Sequence, residues 1–123
     1  GQLCQARSSA DPDLVVDIGY RPIRMGDTCP LGSQLRPDVV WFGEPVPMMH
    51  KASAVVATAD TLLIIGTSLA VYPAASLAHE APARAVVFVI DPEAEPGWIP
   101  GARVFREKAT RRVPLLVDEL LGM

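Results

Sequence analysis

With 123 residues, half of them hydrophobic, the chain has the length and composition of one compact domain and not those of a disordered segment. A formal net charge of -3 with 20% charged residues supplies no basic surface for phosphate backbones or anionic lipid, so neither nucleic acid nor membrane is an expected partner. No apolar run approaches the roughly 18 residues that span a bilayer, and the opening GQLCQARSS lacks the layout of a signal peptide, so the expectation is a soluble, cytoplasmic protein.

Residues 1–37 are polar and turn-rich, with Ser8-Ser9, Asp11-Pro12-Asp13, Arg21-Pro22, Gly26-Asp27 and Gly32-Ser33 around one short apolar run, Leu14-Val15-Val16. They read as a small irregular module. Its two cysteines, Cys4 and Cys29, are too few for a disulfide scaffold or an all-cysteine zinc site, and Arg7 and Gly32 stand where C-x-x-C partners would be. Two free thiols are the expectation, and no metal ligands are assigned.

Residues 38–123 change in texture. Asp38-Val39-Val40-Trp41-Phe42, Thr61-Leu62-Leu63-Ile64-Ile65 and Ala85-Val86-Val87-Phe88-Val89-Ile90 are short runs, apolar on consecutive residues, as in strands buried on both faces of a parallel sheet. Between the first two, Met48, Ala52, Val55, Val56 and Ala59 make one apolar helical stripe. Pro73 suits the first turn of a second helix, Pro73 to Glu80, where its missing N–H costs nothing. A fourth short strand is predicted at Val104-Phe105-Arg106. A closing helix carries Val113, Leu116, Val117, Leu120 and Leu121 on one face, with Gly122 as its stop. This order is that of half a doubly wound α/β domain, whose open edge calls for further strands or a second copy of the chain.

In such sheets ligands bind beyond the carboxyl ends of the strands. There stand Gly43-Glu44 after the first strand, Gly66-Thr67-Ser68 after the second and Asp91 after the third. A glycine permits close backbone approach, hydroxyls donate to phosphate or ribose oxygens, and an acidic residue in that place binds a ribose diol. The same residues also suit plain turns and caps, and no G-x-G-x-x-G fingerprint is present.

Two strings, Leu35-Arg36-Pro37-Asp38-Val39-Val40-Trp41-Phe42-Gly43-Glu44 and Ile65-Gly66-Thr67-Ser68-Leu69-Ala70-Val71-Tyr72-Pro73-Ala74-Ala75, resemble the best-marked segments of the C-terminal half of the sirtuins, NAD-dependent protein-lysine deacylases. The resemblance implies a Rossmann-like fold of sirtuin type, with 1–37 at the place of the family's small zinc module and 38–123 as the C-terminal half of the NAD-binding domain. It further implies NAD as cofactor and an acyl-lysine peptide or protein as substrate. Val40, Trp41 and Phe42 match the wall of the acyl-lysine tunnel, with the Val40 carbonyl accepting from the lysine amide. The backbone of Gly43 and Glu44 matches the stretch that pairs with the substrate peptide as an added strand. Gly66, Thr67 and Ser68 match the NAD loop, Asp91 the asparagine that binds the adenosine ribose in many members, and Ala109 the position beside the adenine.

The sequence departs from the family in two respects. Cys4 and Cys29 lack the partners of a zinc set, so the module is expected to fold without zinc, as in a subset of bacterial sirtuins with a run like Gly26-Asp27-Thr28-Cys29. The histidine that serves the family as general base precedes a glycine matching Gly1, so residues 1–123 alone are expected to be nearly inert. His50 and His79 lie on predicted helices and do not replace it. The rival reading is a non-catalytic module of sirtuin-like fold that binds NAD or ADP-ribose or serves as an interaction half. The related cofactor domain of thiamine-diphosphate enzymes shares the sheet but lacks the Trp-Phe-Gly-Glu segment.

Overall fold

A computed structural model of the chain describes residues 1–122. They gather into two compact units, Gly1–Val46 and Pro47–Met123.

The first unit is more regular than its turn-rich sequence suggests. Three short strands, β1 (Gln5–Ser8), β2 (Val15–Asp17) and β3 (Leu35–Pro37), form an antiparallel sheet in the order β2-β1-β3. Strand alternation turns Ala6 and Ser8 inward, and Ala6 meets a small core of Cys29 and Leu35 flanked by Leu14, Val16, Ile18 and Ile23. So slight a core leaves much of the ordering to side-chain bonds with turns. The Ser8 hydroxyl accepts from the Ala10 and Asp11 N–H groups at 3.1 and 3.2 Å, and the buried Cys29 thiol donates to it at 3.4 Å. Gln34 accepts from the Gly26 N–H and donates to the Arg24 carbonyl. Both cysteines are free, and no group of metal-ligating side chains occurs among the described residues.

One expected strand is corrected. Residues 38–42 form an irregular, bent segment, and β3 ends just before them, because among the described residues no strand offers a ladder to Val39, Val40 and Trp41. Arginine side chains hold this segment instead, and it groups with the first unit.

The second unit carries a parallel sheet, β4 (Thr61–Ile65), β5 (Val86–Ile90) and β6 (Arg103–Phe105), in the order β4-β5-β6. The helix α1 (Met49–Val56) precedes β4 and α2 (Ala109–Leu121) follows β6. The helix predicted from Pro73 is a 310 helix over Ala74–His79, closed by an i to i+3 bond from the Glu80 N–H to the Leu77 carbonyl. On one side of the sheet, Ile64 and Val89 pack with Ala78, Ala94 and Ile99; on the other, Phe88 and Ile90 pack with Leu116. The predicted stripe of α2 is only half used. Leu116 is buried and Val113 partly so, whereas Val117, Leu120 and Leu121 are exposed, and Gly122 caps the helix at φ 71°. Among the described residues nothing pairs with the outer edge of β4. No helix of the described residues is long and apolar enough to cross a membrane.

Candidate functional site

In the second unit, register decides which residues meet. Ile65 lies opposite Ile90 and Ile90 opposite Phe105, so the three parallel strands end flush in one row. Gly66 and Asp91 therefore leave the sheet side by side, and their backbones stay stitched to it. The Gly66 N–H donates to the Ile90 carbonyl at 3.0 Å and the Asp91 N–H to the Phe105 carbonyl at 3.2 Å. Gly66 adopts φ 62°, a left-handed conformation that favours glycine, and the space where a Cβ would stand is open. Leu69, a left-handed residue at φ 55°, ends the loop, and its N–H donates to the Thr67 hydroxyl at 3.2 Å. That oxygen retains its own O–H for an external acceptor. An apolar pocket of about 340 Å³ runs from α1 across β4 to the 310 helix, with Thr67 and Leu69 in its wall.

Asp91 has a structural duty as well. Its Oδ1 accepts the Glu93 N–H at 2.8 Å in an Asx turn, while Oδ2 has no partner among the described residues. Thus the turn reading of Asp91 and the ribose reading are compatible at the atomic level. Ala109 is the first residue of α2, preceded by Lys108 in extended conformation. His50 lies in α1 and His79 in the 310 helix, both exposed.

In the first unit, the predicted peptide-facing residues stand on a loop that is firmly tied at its base. Val40, Trp41 and Phe42 are 40, 53 and 88% exposed. Behind them the Val39 carbonyl accepts from Arg7 at 2.7 Å and from Arg36 at 3.1 Å. Arg36 also donates through both terminal nitrogens to Glu44, the longer contact being 2.9 Å, and Glu44 Oε2 accepts the Trp41 N–H at 3.0 Å. Asp38 lies 3.4 Å from Arg7 Nε and donates its own N–H to Gln5. The Val40 carbonyl, by contrast, has no hydrogen-bond partner among the described residues. Sequence reasoning missed Arg7 and Arg36 as components of this loop; Arg36 lay within the marked string, whereas nothing local singled out Arg7.

The charge pair has a measurable consequence. The Arg36 hydrogen bonds, then that of the Trp41 N–H, hold the Glu44 carboxyl at about 2, below its ordinary 4.5. Since the folded value is depressed, the stabilisation is complete above about 4.5 and is lost progressively as pH falls from there through about 2. An acid titration followed at the Trp41 amide by NMR is expected to show a midpoint far below 4.5; a midpoint at 4.5 would mean that the pair does not form.

These features define an open α/β unit whose parallel strands end in one row, joined in sequence to a small module carrying an exposed aromatic loop. The Sir2 family model matches residues 4–73. An NAD-dependent protein deacylase of Helicobacter pylori is 42% identical across 100% of this chain and 54% of its own length. One from Aggregatibacter actinomycetemcomitans is 46% identical over 81% of this chain and 48% of its own. Among solved structures, a Sir2 homolog–NAD complex superposes with a TM-score of 0.84 at 30% identity, covering 99% of this chain and 49% of that one. An ADP-ribose complex of a mutant Sir2 homologue gives 0.85 at 32%, covering 99% and 51%. The chain belongs to the Sir2 family. It spans about half the length of the curated relatives it matches.

Proposed function

We propose that the whole protein is an NAD-dependent protein-lysine deacylase to which this chain contributes part of the cofactor edge and the acyl-lysine wall. The observation that carries the reading is the flush row of strand ends, which sets Gly66 beside Asp91, together with relatives named as NAD-dependent deacylases. The residues present fit the cofactor. A bare Gly66 backbone admits close approach, the Thr67 and Ser68 hydroxyls are donors for phosphate or ribose oxygens, and the free Oδ2 of Asp91 accepts from a ribose hydroxyl. Ala109, at the start of α2, would stand beside the adenine, as the family resemblance implies. NAD, when bound, supplies the ribose carbon that receives the acyl oxygen.

In the first unit, Val40, Trp41 and Phe42 enclose the acyl-lysine, and the unpartnered Val40 carbonyl accepts from its amide N–H. Gly43 and Glu44 pair with the peptide through their backbone. The sirtuin resemblance assigns the base that takes the ribose proton to the rest of the protein, and His50 and His79, exposed on helices of the second unit, have no part in this reading. The open β4 edge supports a sheet continued by that remainder or by a second copy of the chain. A cytoplasmic location fits this activity.

The reading is tested in the whole protein with an acetyl-lysine peptide, whose loss of the acetyl group is expected to require NAD. Asp91→Ala, which removes both the Asx acceptor and the ribose acceptor, is expected to weaken NAD binding by roughly 0.5 to 3 kcal/mol by calorimetry. Asp91→Asn keeps the turn and is expected to retain most of the affinity. Release without NAD, or equal NAD affinity in all three proteins, would contradict the assignment. NAD binding without any deacylation would favour the non-catalytic alternative.

A further inference from the structure

We propose that Arg7 and Arg36 are positioning residues for acyl-lysine binding, which fix the Val40–Phe42 wall by gripping the Val39 carbonyl from behind, with Glu44 closing the far end of the loop. This inference rests on the proposed deacylase reading for its substrate and on the geometry of the first unit for everything else.

Arg7 and Arg36 are direct partners in the β1/β3 ladder. Like charges placed opposite each other in a sheet repel, and both side chains are largely covered, at 19 and 28% exposure. The arrangement is offset by two carboxylates, Asp38 on Arg7 and Glu44 on Arg36, which leave the cluster neutral. The two guanidinium groups together fill both lone pairs of one carbonyl, that of Val39. A planar, forked donor is needed for this, because Arg36 must reach the carbonyl and both oxygens of Glu44 at once.

The ties bracket the aromatic tip. Upstream, the Asp38 N–H is bound to Gln5 and the Val39 carbonyl to the arginines; downstream, Glu44 holds both Arg36 and the Trp41 N–H. Gly43, at φ 85°, supplies the left-handed residue that lets the loop turn back. Between these anchors Trp41 and Phe42 stay in solvent. A loose loop would fold such side chains onto nearby apolar surface, so holding them out costs hydrophobic free energy unless they meet a partner. The Val40 carbonyl, next to the gripped Val39, is thereby left free in a fixed place.

The test uses the whole protein. Arg36→Lys keeps the charge but replaces the fork by a point donor. It is expected to raise KM for an acetyl-lysine peptide about tenfold, with KM for NAD and the melting temperature essentially unchanged. Hydrogen exchange at the Trp41 amide is expected to be slow in the parent protein, fast in Glu44→Ala and still slow in Glu44→Gln, which keeps an acceptor. A rise in both KM values together with a lowered melting temperature would show only a folding role and overturn the proposal. Unaltered peptide KM in Arg36→Lys would overturn it too. Should the protein release no acyl group at all, the deacylase reading fails by itself. The grip is then judged by exchange alone, and equal Trp41 protection in Glu44→Ala and the parent would refute it.

Discussion

Leu116→Ala is expected to destabilise the Pro47–Met123 unit by about 2–5 kcal/mol, the range for truncating a large buried aliphatic side chain. Leu116 is 1% exposed and is the buried residue through which α2 meets the sheet, packing with Phe88 and Ile90. Around it the fit is tight. Phe88 and Phe105 stack with centroids 6.3 Å apart, and the Arg112 guanidinium lies 3.7 Å from the Phe105 centroid. A cavity at Leu116 would loosen the helix that begins with Ala109, so lost cofactor affinity should accompany the drop in stability. Chemical denaturation read by circular dichroism measures the first effect. Leu120→Ala, at an exposed position of the same helix, is the control, expected to fall within about 0.5 kcal/mol of the parent. Equal effects of the two substitutions would refute this account of how α2 docks.

The second large effect is expected from Leu35→Ala in the first unit. Only Ala6, Cys29 and Leu35 form its buried apolar centre, and Leu35 is the largest of them. A unit of this size buries too little apolar surface to absorb a loss of about 2–5 kcal/mol, so the substitution is expected to unfold Gly1–Val46 as a unit. Because Leu35 opens β3, which carries Arg36, the grip on Val39 would go with it, and peptide binding should disappear. Trp41 amide protection and peptide binding by calorimetry should be lost together, while the packing of Phe88, Ile90 and Leu116 in the other unit stays intact. Retained Trp41 protection in Leu35→Ala would contradict the dependence of the loop on this core.

Much of the second unit was legible in the sequence. Thr61–Ile65 and Val86–Ile90 are runs of apolar β-formers bounded by turn residues, and they form β4 and β5 with almost the predicted ends. The closing helix and its glycine stop were equally plain, because a helix is built from contacts three and four residues apart. The place of Gly66 and of Asp91 directly after their strands was legible for the same reason. Strand ends are local features.

Errors came where distant residues decide. Val39-Val40-Trp41 has a strand's composition, yet a strand needs a neighbour to pair with, and the arginines of β1 and β3 reach its backbone first. The apolar stripe of α2 did not reveal that only its first half would be covered. Nor could spacing along the chain show that Ser8 and Cys29 would meet. The sequence by itself determined most elements of the second unit, the family resemblance and the residues at its strand ends, since these depend on periodicity and short motifs. Tertiary structure alone decided the register that sets Gly66 beside Asp91 and the convergence of Arg7 and Arg36 on one carbonyl. Both depend on chain segments far apart in sequence, brought together by burial and hydrogen bonding that no local window contains.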